Sequence, residues 1–153
     1  MPQSVTDPVP PPVFAACIGL DRSDRTVDIC LQVPGTAPQY AVLDNSPEKI
    51  LPWLDTLRQS YEGQSLALCL EEPAGGLLHL LAGHDFLQIY AINPVTLSKY
   101  RDAFTISQAK NDASDAYFLM ELARDHRQKL TLWKPDEVVT RTLEGLVEAR
   151  RQV

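Results

Sequence analysis

The sequence predicts a mixed α/β domain, a single five-stranded sheet flanked by helices. Three observations predict it. The first three strand-like segments are separated only by short turns, so they form an antiparallel meander. After them, helix and strand signals alternate, and parallel neighbours need such crossovers. The chain has 153 residues, 44% hydrophobic and 22% charged, which suits one soluble domain with its own core.

Residues 1–12 hold five of the twelve prolines and read as a flexible leader. Val13–Asp21 is an apolar, partly β-branched run that ends in a charge, a buried strand. Arg22–Arg25 is a polar turn. Thr26–Gln32 alternates Val27, Ile29 and Leu31 with Asp28, Cys30 and Gln32, as a half-exposed strand does. Pro34-Gly35 turns the chain into a third strand, Gln39–Leu43. Ser46-Pro47-Glu48 is a helix start. Ile50, Leu51, Leu54 and Leu57 supply its buried face as far as Gln59.

Ser65–Glu72 is a fourth strand, broken by Pro73-Ala74-Gly75-Gly76. Leu77–Leu81 makes a short helix and Phe86–Ile92 a fifth strand. Asn93-Pro94 caps a helix reaching Phe104. Thr105–Asn111 is polar and aperiodic. A helix over Asp112–Asp125 buries Ala116, Leu119 and Ala123. These elements give a folded domain over residues 13–134. From Pro135 a last helix runs to Val153 without a glycine cap. It is expected to be the start of a long linker helix over residues 135–153, or to dock on a partner. The order matches a ribonuclease H-like sheet. A flavodoxin-like or Rossmann sheet would need helices between the first three strands, and Arg22–Arg25 is too short for one.

The formal charge is −6, from 14 basic and 20 acidic residues, which at face value argues against a simple nucleic-acid binder. The acidity is uneven. Residues 1–98 hold 4 Lys/Arg and 11 Asp/Glu, and residues 99–153 hold 10 and 9. Cations bound to some of those carboxylates would offset them. Val13–Leu20 is too short to cross a bilayer, and no basic region precedes it as in a secretory signal. Cys17, Cys30 and Cys69 lack CxxC spacing, which disfavours zinc or disulfides and suits a cytoplasmic location.

Asp21 ends the first strand and Glu72 the fourth. If these strands are parallel neighbours ~4.8 Å apart, both carboxylates emerge at one edge of the sheet. Alternation sends Glu71 and Glu72 to opposite faces, and Glu72 is the choice because it lies nearer the glycine turn. Asp112 and Asp115 are three apart, one helical turn on one face. Each acid also has a plain reading, as a turn former or a first-turn acid favoured by the helix dipole. Together, the four fall where one fold brings carboxylates to a shared edge. Four converging carboxylates call for a hard cation, Mg²⁺, with Mn²⁺ as a substitute. Two such ions ~3.5–4 Å apart can promote in-line attack at a phosphodiester.

Ile18-Gly-Leu-Asp-Arg-Ser-Asp-Arg-Thr-Val-Asp28 resembles the opening of the DEDD transposases, the insertion-sequence one-ten family with its Piv-type DNA invertase relatives. Leu70-Glu-Glu-Pro-Ala-Gly-Gly76 is similar to the second block, Ile92-Asn-Pro94 to the third, and Lys110-Asn-Asp-Ala-Ser-Asp-Ala116 to the Lys-x-Asp-x-x-Asp-Ala block. The resemblance implies a RuvC-like fold and Mg²⁺-dependent DNA recombination, with the acidic positions on Asp21, Glu72, Asp112 and Asp115. It also implies a C-terminal domain, outside this chain, that brings a serine nucleophile. A guide RNA from the same element and a homo-oligomer are implied as partners. Ala74 stands where members often carry a hydroxyl, and Asn111 where threonine is common; neither change removes a carboxylate.

Lys110 reads equally as a phosphate contact or a solvated loop lysine. Lys99, Arg101, Arg124, Arg127 and Lys129 are candidates for a nucleic-acid groove or simply a solvated face. Ser23 reads as a turn hydroxyl, Gly75 and Gly76 as helix-packing glycines, and His79, His84 and His126 lack metal-ligand spacing. Two other functions stay open: a stand-alone RuvC-like resolvase or nuclease, and a vestigial oligomerisation or RNA-docking module. An actin-like ATPase would want glycine after the first Asp, where Arg22 stands.

Overall fold

A computed structural model describes residues 13–107 and 114–133. Strand β1 (Ala16–Arg22) leads through a tight turn into β2 (Thr26–Gln32) and then β3 (Gln39–Asp44). Helix α1 (Pro47–Ser60), β4 (Leu66–Glu71), α2 (Gly76–Ala82), β5 (Leu87–Ile92), α3 (Pro94–Ser107) and α4 (Asp115–Asp125) follow. The sheet order is β3-β2-β1-β4-β5-β6, where β6 is Thr131–Leu132. The meander is antiparallel, and β1, β4 and β5 are parallel neighbours. This is the ribonuclease H-like arrangement.

Among the described residues six strands replace the expected five. The sixth is two residues long and pairs antiparallel with β5, Tyr90 opposite Leu132 and Ala91 opposite Thr131. Two residues carry no periodicity, and only the exposed edge of β5 gives them a strand conformation. Other boundaries shift. Strand β1 begins at Ala16, not Val13, which is 89% exposed. Helix α3 continues through Ser107, past Phe104. Helix α4 starts at Asp115, with Ser114 as its cap, three residues later than expected. Asp112, Lys110, the leader over 1–12 and the last helix over 135–153 lie outside the described residues.

Local chemistry explains the helix starts. Asn93 Oδ1 accepts from the Val95 N–H at 2.7 Å and more weakly from the Thr96 N–H at 3.4 Å, satisfying free donors at the start of α3. Ser114 Oγ accepts from the Tyr117 N–H at 3.2 Å and fixes the start of α4. In α1, Ile50, Leu54 and Leu57 are buried as expected, but Leu51 is not. It sits one position round from Ile50 and so leaves the buried stripe.

Two apolar layers sandwich the sheet. Ile18, Leu20, Leu66, Leu68 and Leu70 pack under α1 and α2 against Ile50, Leu54 and Leu81. On the other face, Cys17, Ala67 and Cys69 are small, and α4 lies on them with Ala116, Leu119, Met120 and Ala123. The closest approach is at Gly19. A Cβ there would stand 2.0 Å from the Ala116 carbonyl oxygen and 2.3 Å from the Met120 nitrogen. The backbone of α4 therefore rests directly on β1, and its first turn is carried to the end of that strand. Among the described residues no polar or charged residue is buried, so the charges are left to the rim. The three cysteines are free and buried.

Candidate metal and nucleic-acid site

The carboxyl ends of β1 and β4 meet at one rim. Leu20 pairs with Leu70 in the parallel register, so the next residues, Asp21 and Glu71, stand side by side. Both continue the face that carries Gly19 and Cys69, the face covered by α4. Asp115 opens α4 at the same rim. Asp28 faces Asp21 across the antiparallel pair.

Electrostatics reports this gathering. The Asp21 carboxyl is pushed up from 3.8 to about 6, first by burial, then by the negative charges of Asp115, Asp28 and Glu71. The positive charge of Arg101 partly counters them. Arg101 Nη1 lies 2.7 Å from Asp115 Oδ1, a charge-assisted bond from α3 to the first residue of α4. Asp115 and Glu71 in turn hold the Arg101 guanidinium above its ordinary value, the bond to Asp115 contributing most.

Glu72 lies one residue past the end of β4. Its N–H donates to the Ile92 carbonyl at 2.9 Å, and a cis peptide joins it to Pro73. It is exposed, and strict alternation directs it away from the face of Asp21. Both glutamates nonetheless line one open cavity of about 170 Å³ with Asp21, Arg22, Pro73 and Pro94. Arg22 Nη2 donates to the Pro73 carbonyl at 2.9 Å and ties the end of β1 to the turn after β4. Asp21, Glu71 and Asp115 are thus brought to one region, with Glu72 at its mouth.

Among the described residues, no three His, Cys, Asp or Glu side chains close on a single point. The donor set still fits a hard cation in kind: all are carboxylate oxygens, and the mutual repulsion that raises Asp21 is what a divalent ion would relieve. Asp21, Glu71, Glu72 and Asp115 are the described carboxylates that this rim could offer to one.

The basic candidates divide. Arg101 is at the site. Lys99 is exposed on α3. Arg124 pairs with Asp125 at 2.7 Å and also reaches Glu121 and Gln32. Arg127 stacks over the Phe14 ring at 4.7 Å. These last two are engaged in holding the domain together. Glu71 and Gly19 were not singled out from sequence. Strand register would have found the first, and the Cys17–Gly19 run of small residues alternating with Ile18 and Leu20 the second.

The pH dependence follows from Asp21. A carboxyl raised by folding favours its protonated form in the native state. Its contribution to stability is present below the ordinary value of 3.8 and is lost as pH rises through about 6. In EDTA, Asp21→Asn is therefore expected to melt higher than the wild type near pH ~8, with the gap closing toward pH ~4. Equal melting temperatures near pH ~8 would contradict it.

No helix among the described residues is long and apolar enough to cross a membrane. A family model for DEDD transposases of the IS110 type, described as "Transposase", matches residues 18–153. The protein named "Putative transposase y4uE" from Sinorhizobium fredii (strain NBRC 101917 / NGR234) is 32% identical over 72 residues, 47% of this chain. The match spans 20% of that relative's length.

Proposed function

Because the chain belongs to the DEDD transposase family of the IS110 type, we propose that it is the catalytic RuvC-like domain of a DNA transposase or site-specific recombinase. The observation that carries the reading is the placing of Asp21, Glu71 and Asp115 along one sheet rim, near enough for their charges to raise the proton affinity of Asp21. In this reading Asp21, Glu72, Asp112 and Asp115 hold Mg²⁺, or Mn²⁺ in its place. Glu71 adds its charge from the face of Asp21. When bound, the metal supplies charge stabilisation at the phosphodiester under attack. The chain's own groups place the carboxylates: β1 and β4 fix the edge, and Gly19 lets α4 bring Asp115 to it.

The substrate is DNA. A guide RNA from the same element selects the site, and the working form is a homo-oligomer in the cytoplasm. Lys99, Arg101 and Lys110 contact backbone phosphates. A C-terminal domain beyond residue 153 supplies the serine nucleophile for strand transfer. The test is transposition by the longer protein. Asp21→Ala is expected to abolish it, whereas Asp55→Ala, on the exposed side of α1, leaves it intact. Wild-type transposition with Asp21→Ala would refute the reading.

A further inference from the structure

Arg101 stands where a cation is wanted. Its guanidinium Nη1 is 2.7 Å from Asp115 Oδ1, and its charge also acts on Asp21. Both partners are partly exposed, 39% and 29% at the side chain, so the pair is held in place without being locked in. It joins two helices, α3 and α4, at the rim.

A guanidinium and a divalent ion cannot share this carboxylate on equal terms. Mg²⁺ takes oxygen ligands at about 2.0–2.1 Å and demands near-octahedral geometry. A guanidinium bonded to the same oxygen occupies a lone pair and repels the ion. For Asp115 Oδ1 to serve as a ligand, and for the ion to approach this carboxylate without that repulsion, Arg101 must give the oxygen up. A partly exposed arginine leaving a carboxylate beside a nucleic-acid site has a natural second partner. The oxygens of a backbone phosphate match its planar fork as well as a carboxylate does.

We propose that Arg101 is a placeholder cation. It neutralises the acidic rim in the metal-free domain and releases Asp115 to the metal when a DNA phosphate takes its guanidinium. Metal loading is thereby coupled to DNA binding, and by linkage each raises the affinity for the other. This rests on the metal-dependent reading above and adds its regulation. Arg101 is a positioning residue here, acting through Asp115.

The sign of one substitution separates this role from a purely structural one. If Arg101 merely oriented Asp115, removing it would weaken metal binding. As a placeholder, its removal strengthens metal binding. Mn²⁺ is titrated calorimetrically into the metal-free chain, as wild type, Arg101→Gln and Asp21→Ala, with and without a short DNA duplex. Arg101→Gln is expected to bind Mn²⁺ alone up to about tenfold tighter than wild type, the scale of one charge-assisted hydrogen bond. DNA should tighten Mn²⁺ binding to wild type by a similar factor and leave Arg101→Gln nearly unchanged. In melting experiments Arg101→Gln should lose stability in EDTA and gain more than wild type on adding Mn²⁺.

Should Arg101→Gln fold poorly, Arg101→Lys serves instead. It keeps the charge but loses the fork, and its Mn²⁺ affinity should exceed that of wild type. Equal or weaker Mn²⁺ binding by the arginine variants, with the same response to DNA, overturns the proposal while the metal site stands. Mn²⁺ binding by Asp21→Ala equal to wild type overturns the metal reading itself.

Discussion

Gly19→Ala is expected to cost about 3 kcal/mol or more and to lower Tm by roughly 10 °C, the upper end of what overpacking does. The added methyl cannot turn away, because it meets the main chain of α4: the Ala116 carbonyl oxygen at 2.0 Å and the Met120 nitrogen at 2.3 Å. Helix α4 must therefore rise off β1, opening space over Cys17 and Cys69 on the same face. The displaced turn begins with Asp115, so metal affinity should fall even where the fold survives. Gly83→Ala is the control, since a Cβ there meets nothing within 4 Å. Thermal unfolding of the two variants decides, and equal melting temperatures would contradict the seating of α4 on bare backbone.

The second large effect is at Asp21. Asp21→Ala should weaken Mn²⁺ binding by about a hundredfold or more, since even outer-shell substitutions at metal sites cost ten- to a hundredfold. Asp21 is the carboxylate on which Asp115, Asp28 and Glu71 all act, so it occupies the middle of the negative field. The same substitution should raise, not lower, the melting temperature of the metal-free domain at neutral pH, because one repelling charge is gone. A variant that is more stable and binds no metal marks a site whose charge is kept for function at a cost in stability. Calorimetric titration beside a melting curve reads both. Undiminished Mn²⁺ binding would remove Asp21 from the site.

The sheet was legible because its signals are local and redundant. Alternation in Thr26–Gln32, the Asn93-Pro94 cap and the Pro73–Gly76 break each restrict the chain within a few residues. The start of α4 was less so. Ser114, Asp112 and Asp115 are all plausible caps or first-turn residues, and the choice of Ser114 depends on how the helix seats on β1. Strand β6 was illegible, since Thr131 and Leu132 become a strand only beside β5. At the site, nearness to the strand end and the glycine turn favours Glu72, whereas the in-register pairing of Leu20 with Leu70 brings Glu71 to the side of Asp21. Sequence shows that two glutamates are adjacent; pairing alone shows which one shares a face with its partner. Arg101 could be suspected of meeting phosphate from its charge, but its bond to Asp115 joins residues on two helices that no local pattern connects.

The most direct measurement is a crystal of the chain soaked in MnCl₂, with an anomalous difference map collected at the manganese edge. A peak is expected at the rim, bonded to Asp21 and Asp115 and to a glutamate at the end of β4, with Arg101 moved off Asp115. Manganese bound elsewhere, or a rim left empty at saturating metal with Asp21 and Asp115 held apart, would contradict it.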